Sequence, residues 1–411
     1  MANESAPALP AFLHPFAPPT RPSFIEIVRG SGALIWDASG REYVDAMASL
    51  WYCAAGHGRQ EIADAVGAQL ATLAAYSCFD PFTNGPADAL AERLVELNPM
   101  PEARVFLCDS GSEAVDTAMK LARLTQRLAG HPGRTLIISR TRGYHGTNLG
   151  GTSAQGIELN RQGWGPLVPD VVHVPGDDSE ALSRLMAERS GEVAAVIAEP
   201  VQGAGGVYPP TDGYLAELRR LCDHHGALLV FDEVITAFGR LGKWFGADHF
   251  GVRPDMITFA KAVTSGYVPL GGVIVGDTVR SALESEPGFI LRHGYTYSGH
   301  PGACAAALAN LDVLANEGLL ARAPVIGARL GRGLHALAAD GAVAAVRGEV
   351  AVWAVALHEG RAATEVRDRM LERGVITRAI GADTLTFCPP LVTTDEQVDR
   401  IIDVVADAVT P

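Results

Sequence analysis

Lysine is almost missing from this chain. Of its 33 basic residues only three are lysines, Lys120, Lys243 and Lys261, and the remainder are arginines. Solvating a surface does not require that choice, so each lysine can be weighed by itself. Basic residues are also outnumbered: 47 acidic side chains leave a formal charge of -14. Without a basic face to neutralise phosphates, neither nucleic acid nor an anionic membrane is an expected partner. Paired cysteines are absent as well. Cys53, Cys78, Cys108, Cys222, Cys304 and Cys388 include no C-x-x-C spacing, which indicates neither a disulfide framework nor a zinc site. They read as small core residues of a reducing compartment. No apolar run approaches the roughly 20 residues of a membrane span, and the N-terminus lacks a basic-then-apolar leader pattern. The cytoplasm is therefore the expected location. What is abundant is core: 48 % of the 411 residues are hydrophobic and only 19 % charged. That is the composition of a compact globular protein acting on small molecules, long enough for two domains.

The opening "MANESAPALPAFLHPFAPPTRP" places six prolines in 22 residues, so it is expected to lie extended over a surface, where it could drape over a partner. "ALIWDASGREYVDAM" alternates around the turn signal Ala38-Ser39-Gly40 and predicts a small hairpin. Beyond about residue 60, helical patterns alternate with the apolar runs "RVFLCD", "TLIIS", "DVVHVP", "AAVIAEP", "ALLVFDE", "DMITFAK" and "GGVIVG". Runs of this kind, spaced by helices, predict an α/β architecture with a mostly parallel central sheet flanked by helices. An Ala/Leu-rich stretch from "GACAAALANLDVLANEGLLARA" then leads to strands ("AVAAVRGEV", "AVWAVAL", "TLTFCPPL") and helices of a smaller α+β unit. The expected division is an N-terminal segment, 1–58, contributing to the small domain, a large domain, 59–300, and a linking helix with the C-terminal small domain, 301–411.

Several segments carry chemistry. "LVFDEV" runs an apolar strand into two acids, and alternation puts Asp232 and Val234 on one face and Glu233 on the other. A buried unpaired carboxylate is costly, so Asp232 implies a cation or hydrogen-bond donor nearby, with an arginine at the sheet edge as the plain alternative. Lys261 follows the buried-looking "DMITFA", where desolvation would depress its pKa toward a nucleophilic amine. A lysine snorkelling from the sheet edge competes with that reading. Lys120 lies in an amphipathic run and Lys243 in a glycine-bounded loop. "CDSGSEAV" ends a strand and opens a helix: Ser110 and Glu113 have capping-box spacing, while Gly111, Ser112 and the free N–H groups offer a phosphate site. Tyr144 and His145 lie in the glycine-flanked "TRGYHGTNLGG", where an aromatic could pack on a flat ring or simply cover the core. Tyr295, Thr296, Tyr297 and Ser298 precede a helix whose first turn holds Pro301. Arg378, in "GVITRAIGADTLTFCPP", suits a carboxylate ligand or a structural salt bridge. A phosphate cradle, an aromatic stacking partner, an acid for a ring nitrogen and an imine-forming amine are together what pyridoxal 5'-phosphate requires.

These motifs, with "AEPVQGAGGVYPP", "FDEVITAFGRLGKWFG" and "YTYSGHP", resemble over nearly the whole chain the class III aminotransferases of fold type I, in particular the ω-transaminase (amine:pyruvate) kind. The resemblance implies that Lys261 forms the imine with pyridoxal phosphate and shuttles the substrate proton, and that Asp232 pairs with the pyridinium nitrogen. It places Val234 and Tyr144 on the two faces of the ring, with Ser110, Gly111 and Ser112 at the phosphate and His145 and Glu199 close by. It has Thr296 complete the cradle from a neighbouring subunit, which implies a homodimer with shared active sites, or a tetramer. Leu50, Trp51, Tyr144 and Tyr295 would wall the substrate pocket, and Arg378 would bind the acceptor carboxylate. The implied reaction is ping-pong transfer from a primary amine or ω-amino acid to a 2-oxo acid, pyruvate first, with (S)-selectivity. Ala237 departs from the usual "TGFGR", which bears on loop geometry. An aminomutase or decarboxylating enzyme of the same fold is the alternative. A non-catalytic phosphate- or nucleotide-binding protein is more remote, since no P-loop or strand-linked G-x-G-x-x-G occurs.

Overall fold

The computed structural model describes residues 9–410. Each of the seven apolar runs becomes one strand of a single sheet: β4 (Arg104–Cys108), β5 (Leu136–Arg140), β6 (Val171–Val174), β7 (Val193–Ala198), β8 (Leu228–Asp232), β9 (Met256–Phe259) and β10 (Gly271–Val275). Their spatial order is β4-β10-β9-β8-β7-β5-β6. The pairs from β9 through β8, β7 and β5 to β6 are parallel, and only β10 runs against its neighbours β9 and β4. β7, β8 and β9 are buried along their whole length, which explains why they read as continuous apolar runs rather than alternating ones. All strands except β10 point their carboxyl ends at one edge. That edge is where open α/β sheets bind ligands.

The predicted hairpin is β2 (Leu34–Asp37) and β3 (Glu42–Asp45), extended by β1 (Ile27–Ser31). The Asp37 carboxylate shapes its turn, accepting from the N–H groups of Ser39 and Arg41 at 2.9 and 3.0 Å. A third sheet holds β11 (Ala345–Glu349), β12 (Val352–Ala356), β15 (Thr384–Phe387) and β14 (Arg378–Ile380) in the order β11-β12-β15-β14. Its fourth strand was not separable in the sequence. The run "GVITRAI" is cut at buried Thr377: β13 (Val375–Ile376) pairs in parallel with β3, whereas β14 joins β15. The Thr377 hydroxyl donates to Thr386 O at 2.7 Å and holds that crossover.

The Ala/Leu-rich stretch is likewise two helices, Pro301–Asn316 and Leu319–Ala339, meeting at 65°. Gly318, with φ 62°, takes the left-handed conformation at the break that a side chain would resist. No single helix among the described residues is long and apolar enough to cross a membrane. The proline-rich opening is irregular and largely exposed from residue 9 onward; its first eight residues lie outside those described.

Candidate active site

One cavity of about 430 Å³ lies at the carboxyl edge of the main sheet. Gly111, Ser112, Tyr144, His145, Glu199, Asp232, Val234 and Lys261 all line it, together with Leu50, Trp51 and Arg378. Each polar member arrives on a different strand end: Ser112 just after β4, Tyr144 and His145 after β5, Glu199 after β7, Asp232 at the end of β8 and Lys261 after β9. Residues up to 149 positions apart, Ser112 to Lys261, are thus collected by the order of the strands.

The two acids of "FDEV" part company. Asp232 and Val234 face the cavity, and Glu233 turns away into the core, where its carboxylate accepts from Gly246 N–H, from Ala247 N–H at 2.8 Å and from Thr236 Oγ1 at 3.0 Å. Asp232 does not wait for a ligand to supply all its partners. His145 Nδ1 lies 2.8 Å from Oδ2, and Oδ1 accepts from Thr258 Oγ1 at 3.1 Å and from Val234 N–H at 3.2 Å. Thr258 is Asp232's register partner on β9, so the sheet fixes that bond. His145 therefore sits behind the acid, orienting it.

Lys261 begins a tight turn, Lys261–Val263, with φ 50° at the lysine itself. The turn is clamped from below by buried Asn310, whose amide donates to Ala262 O and Val263 O, both at 2.9 Å, and accepts from Ser265 Oγ at 2.7 Å. Burial pulls the lysine pKa below its ordinary value, while Asp232 and Glu199 pull it back up. The surface Lys261 retains opens onto the cavity, and it forms no ion pair with a carboxylate among the described residues. Glu199 is also desolvated, with a raised pKa. It accepts from Tyr144 N–H and Gly203 N–H, each at 2.9 Å, and so ties the loop after β5 to the loop after β7. Lys120 instead lies exposed, its Nζ 2.9 Å from His293 Nδ1.

At the start of the helix Gly111–Leu128, Ser110 caps by accepting from Glu113 N–H at 3.2 Å. The Glu113 carboxylate reaches one residue further back than a capping box requires, to Asp109 N–H at 2.7 Å. The Ser110 hydroxyl is committed to this cap and does not line the cavity, in contrast to the expectation for a phosphate ligand. Gly111 does line it, and a Cβ there would come within 2.9 Å of Val234 Cγ1. Ser112 Oγ accepts from Thr147 N–H at 3.0 Å, and Gly146 packs so tightly on Ser112 that a Cβ would fall 2.7 Å from its Cα. Two loops are thereby closed around free helix N–H groups, a geometry suited to a phosphate.

Arg378 opens β14 and faces the cavity without an ion-pair partner among the described residues. Burial lowers its pKa and Tyr144 opposes that effect. Tyr295 does not wall this cavity. Its hydroxyl lies 3.3 Å from both Glu113 O and Thr117 Oγ1, and its ring packs edge-on against Phe106, on the other side of the helix. Thr296 is exposed and also outside the cavity. Ala237 is buried and does not need left-handed backbone, so alanine fits where glycine is usual. The sequence reading missed Pro15, Phe16, Ile157, Asn160, Ala204 and Ile235, which complete the walls. Of these, Ile235 stands next to "FDEV", Ala204 within "AEPVQGAGGVYPP", and Pro15 and Phe16 in the proline-rich opening, whereas Ile157 and Asn160 come from a segment without a motif.

The donor set fits pyridoxal phosphate: a desolvated amine, an oriented carboxylate and a glycine-lined helix N-terminus in one cavity. Fold and site thus define a pyridoxal-phosphate-binding transferase. Residues 16–409 match the family Aminotransferase class-III. The β-alanine–pyruvate aminotransferase of Pseudomonas aeruginosa is 40 % identical over 410 residues, 93 % of this chain and 91 % of that protein. The ω-amino acid–pyruvate aminotransferase of Pseudomonas putida is 38 % identical over 93 % of this chain and 91 % of its own. An amine transaminase from an uncultivated Pseudomonas species, solved with pyridoxal phosphate bound, superposes with a TM-score of 0.92 at 36 % identity, covering 98 % of this chain and 99 % of its own. The chain belongs to the class III aminotransferases, and its cofactor is pyridoxal phosphate.

Proposed function

We propose that the enzyme moves the amino group of a primary amine or ω-amino acid to a 2-oxo acid, with pyruvate as the first candidate, in a ping-pong cycle. The carrying observation is Arg378: a partly buried guanidinium without an ion-pair partner among the described residues, in the same cavity as Lys261. A guanidinium there suits bidentate capture of the acceptor carboxylate. The names of the two curated relatives support pyruvate as acceptor and an ω-amino acid as donor. Phe16, Leu50, Trp51 and Ile235 give the cavity an apolar share of wall, which favours an apolar amine over a diamine.

Bound pyridoxal phosphate supplies the electron sink that makes the amine-bearing carbon acidic. Lys261, whose pKa burial lowers from its ordinary value, would take the proton from that carbon and return it on the far side of the transfer. Asp232 would hold the proton on the cofactor's ring nitrogen, with His145 and Thr258 fixing the carboxylate for that task. Gly111 and Ser112 would receive the phosphate, and Tyr144 and Val234 would flank the ring.

We further propose a homodimer, with Thr296 reaching the neighbouring subunit's cavity, and a cytoplasmic location in keeping with six free cysteines. Supporting the dimer, Leu70, Tyr76, Phe79, Phe82 and Tyr297 are exposed. Tyr76 meets Phe82 edge-on, and the two segments that carry these residues touch, with Phe79 against Gly294 and Leu70 against Gly302. An apolar patch of this kind marks an interaction surface.

A donor and acceptor panel tests the reaction. The visible absorbance of the holoenzyme is expected to bleach with β-alanine or (S)-1-phenylethylamine and to return with pyruvate; no bleaching with any amine would overturn the proposal. Arg378→Ala is expected to lower kcat/KM for pyruvate by about 10- to 100-fold and for a neutral aldehyde by less than about threefold. Equal losses would refute the role given to Arg378.

A further inference from the structure

Between β3 and the cavity wall, the backbone passes through a conformation that side chains resist. Ala48, Ser49 and Trp51 have φ of 45°, 58° and 69°, and none is glycine. Left-handed backbone at such residues persists only where the surroundings over-determine it. Here the determinant is visible. Asp45, the last residue of β3, is 1 % exposed and turns its carboxylate into the bend. Oδ1 accepts from Met47 N–H at 3.0 Å and Oδ2 from Ser49 N–H at 2.6 Å. The same Oδ2 lies 2.8 Å from His57 Nε2. Backbone fixes His57 in turn: it exchanges two hydrogen bonds with Gly32, at 2.9 and 2.8 Å, and its side chain fills the space where a Cβ on Gly30 would stand, 2.7 Å away. Trp51 N–H closes the bend onto Met47 O at 2.9 Å. At the far end, Leu50 and Trp51 line the cavity, which neither Asp45 nor His57 touches.

We propose that Asp45, oriented by His57, is a specificity-determining positioning residue: its carboxylate holds the Ala48–Trp51 bend in the backbone that presents Leu50 and Trp51 to the amine donor. The inference rests on the reading of those two residues as the donor wall. A carboxylate suits the task because it alone among small side chains accepts from two backbone N–H groups and an imidazole at once. A wall set by the bend discriminates between donors by how much of them touches it. A phenyl-bearing amine reaches it, and β-alanine, held mainly by its carboxylate, needs it little.

Steady-state kinetics of the holoenzyme test this. Asp45→Asn is expected to raise KM for (S)-1-phenylethylamine about tenfold, leaving kcat and the KM for β-alanine within about twofold. His57→Leu should follow Asp45→Asn, whereas His57→Gln, which retains an N–H for Oδ2, should stay near wild type. Acrylamide quenching assigned to Trp51, by subtracting the matching Trp51→Phe protein, should rise in Asp45→Asn. An equal loss on both donors would reduce Asp45 to a structural residue and overturn the proposal. So would an unchanged donor ratio in Asp45→Asn when Leu50→Ala and Trp51→Ala do shift it. If those two wall variants also leave the ratio unchanged, the donor-wall reading itself fails and the proposal falls with it.

Discussion

Glu233 shows what a single side chain can carry in a place where the reaction does not use it. It is completely buried at the start of the short helix Gly246–Phe250, and burial pushes its pKa from 4.5 to about 7 despite the two N–H groups and the hydroxyl it accepts from. With the folded-state pKa raised, the folded protein binds this proton more tightly than the unfolded chain. The stabilising contribution is therefore complete below about pH 4.5 and is lost as pH rises through about 7. A shift of that size corresponds to about 3 kcal/mol at most. Glu233→Gln is expected to be destabilising at low pH and to flatten this part of the pH dependence, read from denaturation midpoints of both proteins between about pH 5 and about pH 8. Parallel pH profiles for the two would show that Glu233 does not titrate in that window.

At the scale of an element, the turn after β9 matters more than the strand itself. Lys261 and Ser265 both have positive φ, 50° and 48°, and the turn between them has no strand partner to hold it. Asn310 does that from the buried face of the helix Pro301–Asn316, bonding two turn carbonyls and Ser265, whose hydroxyl also accepts from Ala55 N–H at 3.0 Å. Asn310→Ala would leave buried carbonyls unpaired, at about 1–3 kcal/mol each. The expected outcome is a lower unfolding midpoint and slower borohydride-trappable attachment of pyridoxal phosphate to Lys261. With only three lysines in the chain, peptide mass spectrometry resolves that adduct. Unchanged trapping would show that β9 alone positions the amine.

Over the whole molecule, the apolar patch of residues 70–82 and 294–302 makes the proposed dimer testable. Phe79 is 54 % exposed and lies against Gly294, two residues from Thr296. Phe79→Glu places like charges about a two-fold axis and is expected to raise the dimer dissociation constant about 100-fold. Sedimentation velocity would report it, with cofactor retention falling in parallel as Thr296 withdraws. A variant that stays dimeric and fully loaded would exclude this patch as the interface.

Much of this was already present in the order of residues. Seven apolar runs became seven strands because central parallel strands are buried on both faces and leave no polar alternation to confuse them. Alternation alone separated Asp232 from Glu233, and desolvation at a strand end singled out Lys261. Local sequence could not say that Thr377 divides one run between two sheets, since both halves have the same apolar character. Nor could it say that Tyr295 packs behind the helix rather than in the cavity, or that Ser110 is taken up by its cap. The partners His145 and Thr258 of Asp232, the Asn310 clamp on the lysine turn and the Asp45–His57 hold on the cavity wall all join residues far apart or on separate elements. Strand periodicity is a property of neighbouring residues and lysine scarcity one of composition, so the sequence by itself determined the sheet and singled out Lys261 and Asp232. Which side chain orients which is set by contacts between distant segments, and only the tertiary structure decided it.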